Sequence, residues 1–295
     1  MLAEPPTRIA RRFDRLRRQG RKGFVGYLTA GDPSLERTAG LVAALERGGV
    51  DVVELGVPFS DPIADGPVIQ AAFYRALEHG FQVAHVFDLA GRLRRTGFAT
   101  PLVCMVSFSL VYRRSVRTFL TLCKKAGFDG VIIPDLPVGY EEGAAAIAAE
   151  LGLDLILLIA PTTTPERCEL IVQRSRGFIY YISVTGITGA RTTLPEDLAA
   201  NVRGIKQRSG TPVCVGFGIS RPEHAAAVAA CADGVIVGSA LVKGVAEALA
   251  QKLSGAALVQ HVKPLLAALA AATHGQPGTG NRQGTDITVQ AGPRT

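Results

Sequence analysis

Residues 23–55 read GFVGYLTAGDPSLERTAGLVAALERGGVDVVEL, an apolar run, a helical stretch and a second apolar run. The runs Gly23–Thr29 and Val52–Leu55 are strand-length and apolar, as expected for parallel strands buried on both faces. Leu35–Arg47 has the length and periodicity of the helix that joins such strands. The same alternation continues outward from this unit. Further strands are expected at Leu102–Val106, Gly130–Ile133, Leu155–Ile159, Phe178–Ser183, Val213–Val215 and Gly234–Val237. Helices are expected at Val83–Arg95, Val116–Lys125, Glu141–Leu151, Pro165–Arg174, Leu198–Gln207 and Pro222–Ala230. Eight strands, each followed by a helix, predict an α/β fold of the closed (β/α)8, or TIM barrel, kind. A doubly wound sheet is the alternative, but the eight units run on without an obvious reversal. Extra helices fit before the first strand, between Val68 and Gly97, and from Gly255 to Ala272.

Composition divides the 295 residues into three parts: a basic helix over 1–22 packed on the barrel, the catalytic barrel over 23–273, and a tail over 274–295. The tail is rich in Gly, Thr, Gln and Pro and has little to bury, so disorder is expected there. The formal charge of +7 is concentrated at the other end, where Arg8 to Lys22 carry eight basic side chains against Asp14 alone. Ile9, Phe13 and Leu16 fall at helical spacing within that segment, which predicts an amphipathic helix with a solvated basic face. The single aromatic, Phe13, belongs to the apolar face and none stands among the arginines of the basic face, so a nucleic-acid surface is not expected. No uninterrupted run of apolar residues is long enough for a membrane span, and residues 1–6 lack a secretory pattern. Five scattered cysteines (Cys104, Cys123, Cys168, Cys214 and Cys231) contain no C-x-x-C pair, which suits a reducing cytoplasm and gives no metal-site spacing. The five histidines show no metal-ligand spacing either.

In a (β/α)8 enzyme the chemistry sits in the loops at the carboxyl ends of the strands. Strand 7 runs into Gly216-Phe217-Gly218, and strand 8 into Gly238-Ser239 at a helix start. Glycines admit an anion to backbone N–H groups, and a helix N-terminus favours negative charge, so these loops read as a phosphate site. Gly186 and Gly189, after strand 6, can close over the same anion. Each glycine alone is also explained by a tight turn. The second feature is Glu54-Leu55-Gly56-Val57-Pro58-Phe59-Ser60-Asp61-Pro62-Ile63-Ala64-Asp65-Gly66-Pro67. Glu54 lies in a run too apolar to welcome a charge, which suits a proton-transfer carboxyl with a raised pKa. Asp65 sits in a Pro- and Gly-rich loop, and its competing reading is a turn or helix cap. No lysine falls within the strands or at their carboxyl ends, as a Schiff-base aldolase needs, and Lys243 reads as a surface residue.

The segment from Glu54 to Pro67 resembles the signature of the tryptophan synthase alpha chain family. Further matches are Gly26-Tyr27-Leu28-Thr29-Ala30-Gly31-Asp32-Pro33, Pro134-Asp135-Leu136-Pro137, Ser183-Val184-Thr185-Gly186-Ile187-Thr188-Gly189-Ala190, Gly216-Phe217-Gly218-Ile219-Ser220 and Gly238-Ser239-Ala240-Leu241-Val242-Lys243. They occur in the family's order between about Gly23 and Ala272. The resemblance implies a lyase of tryptophan biosynthesis that splits indole-3-glycerol phosphate into indole and glyceraldehyde 3-phosphate, without a cofactor. It implies Glu54 as general acid/base, Asp65 as second catalytic carboxylate, and Tyr180 against the Asp65 loop. Tyr27, Cys104, Ile132 and Phe217 match positions that enclose the indole. Thr188, Gly189, Gly218, Gly238 and Ser239 match the phosphate site.

One loop departs from the family. After strand 3 the chain reads Met105-Val106-Ser107-Phe108-Ser109-Leu110, with Ser107 where the family usually has Tyr and Ser109 where it usually has Asn. In the family that loop borders both the active site and the beta chain of an alpha2-beta2 assembly. The departure therefore bears on docking more than on lyase chemistry. A stand-alone lyase that releases indole, and a non-catalytic regulatory partner, are the alternatives; both carboxylates are present, which argues against the latter.

Overall fold

A computed structural model describes residues 6–62, 65–182, 197–216 and 218–275. The apolar runs form β1 (Gly23–Thr29), β2 (Val52–Gly56), β3 (Leu102–Met105), β4 (Gly130–Ile132), β5 (Asp154–Ile156), β6 (Leu158–Ile159), β7 (Ile179–Ile182), β8 (Val213–Gly216) and β9 (Gly234–Val237). Every pairing is parallel, in the order β5-β4-β3-β2-β1-β9-β8-β7-β6. β5 and β6 are one run broken at Leu157, so the nine segments amount to the eight strands of a closed barrel. The break has a local cause. Ser175 Oγ accepts from the Leu157 N–H at 3.2 Å and donates to the Phe178 carbonyl, while the Leu157 carbonyl still accepts from Tyr180 N.

The helices are α1 (Arg8–Arg18), α2 (Leu35–Arg47), α3 (Pro67–Glu78), α4 (Ala84–Arg95), α5 (Phe108–Tyr112), α6 (Val116–Ala126), α7 (Glu141–Glu150), α8 (Pro165–Arg174), α9 (Leu198–Arg208), α10 (Pro222–Cys231), α11 (Ser239–Ala250) and α12 (Gly255–His274). Strand side chains alternate between two cores. Phe24, Leu28, Val53, Leu55, Leu102 and Cys104 face the helices. Val25, Val52, Val103, Ile132, Ile156, Cys214 and Ile236 face the barrel interior.

The amphipathic N-terminal segment closes the amino end of the barrel. Ile9, Phe13 and Leu16 join the interior core, and the Phe13 ring occupies the place that a Cβ on Gly23 would need, 2.6 Å away. Burying three such side chains stabilises by about 1.5–3 kcal/mol each. Thr7 caps the helix by accepting from Ala10 N. Its basic face is only partly solvated: Arg8 pairs with Asp129 at 2.7 Å and Arg12 with Asp51 at 3.5 Å, while Arg11, Arg15, Arg17 and Arg18 are exposed. Asp129 also takes Arg94 at 2.6 Å and the Leu102 N–H.

At the other end of the chain, α12 is long and apolar enough by composition to cross a bilayer. It packs instead along α2, α10 and α11, burying Leu258, Val262, Leu266 and Leu269. The helix runs through His274, whose ring nitrogens face the carbonyls of Lys22 and Gly49 at 3.0 Å each. The tail expected beyond it lies, from residue 276 on, outside the described residues.

Asp154, at the amino end of β5, accepts from Thr7 Oγ1 at 2.5 Å, and burial raises its pKa from 3.8 to about 6. A carboxyl that binds its proton more tightly in the folded state contributes most below its unfolded pKa, and that contribution is lost as pH rises through the folded value. Asp154→Asn is therefore expected to stabilise the protein at pH 7.5 by about 1–2 kcal/mol and to give no gain at pH 4. Thermal unfolding at the two pH values measures this. A lower melting temperature at pH 7.5 would show that the ionised Thr7–Asp154 contact outweighs the burial cost.

Candidate active site

Glu54 lies on β2 two residues beyond the inward-facing Val52, so strand alternation sends its side chain into the barrel. The carboxyl is 1% exposed, and among the described residues its Oε1 has no hydrogen-bond partner. Burial raises its pKa to about 8, because an ion there loses its water and gains nothing in return. A structural carboxylate in such a place is paired.

Two phenols stand beside it. Tyr27 is the register partner of Glu54 on β1, and Tyr180 points inward from β7. The Tyr27 hydroxyl lies where a Cβ on Gly56 would be, and the Tyr180 hydroxyl comes within 2.5 Å of the corresponding point on Gly216. These two glycines clear the carboxyl end of the barrel for aromatic rings. Burial, together with the charges of Glu54 and Asp65, holds both phenols well above their ordinary pKa.

Asp65 sits on the loop from β2 to α3. The helix-cap reading fails locally, since Gly66 is the N-cap, Pro67 opens the helix and no side-chain capping bond is made. The loop is held from α3. Gln70 Nε2 donates to the Asp65 carbonyl at 2.8 Å and the Pro62 carbonyl at 3.3 Å. α3 is itself anchored by Arg75, which grips the buried Asp32 of the β1 loop through two bonds of 3.0 and 2.8 Å. Burial and then the charge of Asp135 raise the Asp65 pKa to about 6. Between about pH 6 and about pH 8, Glu54 therefore holds a proton while Asp65 is ionised. Two carboxyls whose surroundings push their pKa values apart can divide acid and anion roles between them.

Of the other expected site residues, Ile132 faces the interior beside Val103 and Tyr180. Cys104 does not. It packs into the helix-facing core against Cys123, and its neighbours Val103 and Met105 point inward. Met105 contacts the Tyr27 group and lines a small cavity with Phe59, Asp65, Ser107 and Asp135. The sequence could not settle this parity, because β3 is apolar on both faces. At the phosphate loops, Gly218 has a φ of +77°, and Gly238 caps α11 with Ser239 exposed at its first turn. β8 and β9 pair side by side, so these two loops adjoin. Phe217, Thr188 and Gly189, with Gly186, lie outside the described residues. Lys243 is on the surface near Glu247. A cavity of about 1570 Å³ lies at the opposite end of the barrel around α1.

Fold and carboxyl pair define an acid/base enzyme on a (β/α)8 barrel. The family model described as tryptophan synthase alpha chain matches residues 13–271. The tryptophan synthase alpha chain of Rhodopirellula baltica is 49% identical over 247 residues, covering 83% of this chain and 89% of the relative. That of Synechocystis is 45% identical over 240 residues, covering 81% and 90%. Among solved structures, the tryptophan synthase subunit alpha of Legionella pneumophila superposes with a TM-score of 0.83 at 37% identity, covering 91% of this chain and 99% of that one. A chain of Mycobacterium tuberculosis tryptophan synthase gives 0.82 at 35% identity, covering 92% and 100%. The chain belongs to the tryptophan synthase alpha chain family. It is a lyase of tryptophan biosynthesis that cleaves indole-3-glycerol phosphate to indole and glyceraldehyde 3-phosphate.

The clearance under Tyr27 is testable. In Gly56→Ala the new methyl collides with the Tyr27 hydroxyl and moves the ring into the site. Indole release is expected to fall about 10- to 100-fold in kcat/KM while the circular dichroism of the barrel is unchanged. Full activity would show that the ring has somewhere else to go.

Proposed function

We propose that Glu54 carries both proton transfers of the cleavage and that Asp65 stabilises the charge at the indole nitrogen. The single observation behind this reading is the enclosed Glu54 carboxyl, whose Oε1 has no partner among the described residues and whose pKa burial raises to about 8, against about 6 for Asp65. Protonated Glu54 delivers its proton to indole C3, and positive charge develops at the ring nitrogen. The Asp65 carboxylate meets that charge. Glu54, now a carboxylate, takes the proton of the hydroxyl on the glycerol carbon attached to C3. The oxygen electrons form the aldehyde, the carbon–carbon bond breaks, and its electron pair returns to the ring. Glu54 ends protonated, as it began. Tyr27, Ile132 and Phe217, with Met105 in place of Cys104, enclose the indole, and Tyr180 steadies the Asp65 loop. Gly218, Gly238 and Ser239, with Thr188 and Gly189, hold the phosphate, whose binding positions the reacting carbon. No cofactor enters the scheme.

The pH profile follows from the signs. Activity needs Asp65 ionised and Glu54 protonated, so kcat/KM for indole release is expected to rise through about pH 6 and fall through about pH 8. Glu54→Gln is expected to lower turnover by about 10²- to 10⁴-fold with the fold intact. Retained turnover, or a profile without the alkaline limb, contradicts the assignment.

We also infer a cytoplasmic enzyme that docks to a tryptophan synthase beta chain. Five free cysteines suit a reducing compartment. Docking is supported by an aromatic surface beside the β3 and β4 loops: Phe108 and Tyr112 each meet Tyr140 edge to face, with Tyr112 62% and Val138 81% exposed. That surface stands next to Ser107 and Ser109, so the loop that departs from the family still presents apolar area. Gel filtration with a cognate beta chain is expected to give a complex, weakened at least about tenfold by Tyr112→Ser with Tyr140→Ser. No complex with the unmodified chain leaves a stand-alone lyase.

A further inference from the structure

The contacts of the β3 and β4 loops assign a function to a third carboxylate. Asp135, three residues beyond the inward-facing Ile132 on the loop after β4, accepts from Ser107 Oγ and from the Phe108 backbone N–H, each at 2.7 Å. Both donors come from the loop after β3, so the two loops are tied together through one carboxyl group. Asp135, Ser107 and Asp65 line the same small cavity, together with Asp61, Phe59, Phe73 and Met105. The cavity walls are largely apolar, which weakens screening between the charges inside. We propose that Asp135 is a positioning residue for Asp65: its carboxyl group, held by Ser107 and Phe108 across the shared cavity, adds to burial in opposing the charged form of Asp65. The proposal rests on the assignment of Asp65 to the cleavage reaction.

Three observations support it. Asp135 has both of its carboxylate oxygens committed, Oδ1 to Phe108 N and Oδ2 to Ser107, so it cannot turn away from Asp65 without breaking the tie between the loops. The Asp65 backbone is independently held by Gln70, which prevents the loop from relieving the repulsion by moving. The repulsion between the two carboxylates also acts in the direction in which the Asp65 pKa departs from its ordinary value. Ser107 thus has a defined task in this chain. Its short hydroxyl reaches Asp135 from the first position before α5.

The test is the acid limb of indole release in the full-length chain, measured between about pH 5 and about pH 9. Asp135→Asn keeps the shape and removes the charge, so the acid limb is expected to move down by about half a pH unit or more. Asp135→Glu keeps the charge and is expected to leave the limb closer to that of the unmodified chain. An acid limb in Asp135→Asn that coincides with the unmodified chain overturns the proposal. An acid limb that survives Asp65→Asn unshifted instead overturns the assignment of Asp65, on which the proposal depends. Should Asp135→Asn fail to fold, ¹³C titration of the Asp65 carboxyl in Ser107→Ala and in the unmodified chain decides the matter. A midpoint that moves when Asp135 loses its Ser107 partner supports the coupling, and an unmoved midpoint removes it.

Discussion

A carboxyl group enclosed in a barrel with no partner among the described residues is the constraint around which this protein is arranged. Leaving a glutamate buried and unpaired is costly, and the chain limits that cost by letting Glu54 keep its proton. Everything near it preserves that condition. Tyr27 and Tyr180 cover it, Gly56 and Gly216 give those rings space, and Val52, Val103 and Ile132 keep the layer beneath it apolar. In its proposed role as the acid, Glu54 is ready before substrate arrives because the surroundings offer its charged form so little.

Asp65 obeys the opposite logic. It stands in a loop, partly exposed, with its backbone tied to α3 and a second carboxylate facing it. Its pKa is raised to about 6, and in the proposed reaction its carboxylate meets the positive charge on the bound ring. Separation of the two roles comes from where each residue sits, one on a strand and one on a loop, and not from residue type.

Much of this was legible in the sequence. Gly23–Thr29 and Gly234–Val237 were delimited to the residue, because parallel strands buried on both sides are apolar from end to end. The strand expected at Leu155–Ile159 is broken at Leu157 by Ser175, a side chain eighteen positions away that no local pattern reveals. The same two-sided burial hides the parity of β3: the resemblance points to Cys104 beside the indole, whereas Met105 is the residue that faces the interior. Glu54 stood out because a charge interrupts an apolar strand. Asp135, Gln70 and Ser107 did not, since polar residues in loops are unremarkable until the fold brings them to one carboxyl. The basic N-terminal helix was recognised from its spacing, but its use as a plug needed the aspartates at the amino ends of the strands, which pair with Arg8 and Arg12. Charge and stability are thereby gathered at one end of the barrel and proton chemistry at the other.

The most direct measurement of the central claim is the ionisation of Glu54 itself, followed by ¹³C carboxyl resonance in the unmodified protein and assigned by its loss in Glu54→Gln. A midpoint near 8 is the predicted result. A midpoint near the ordinary value of 4.5 would mean that Glu54 is already ionised at neutral pH, and the acid that begins the reaction would have to be sought elsewhere.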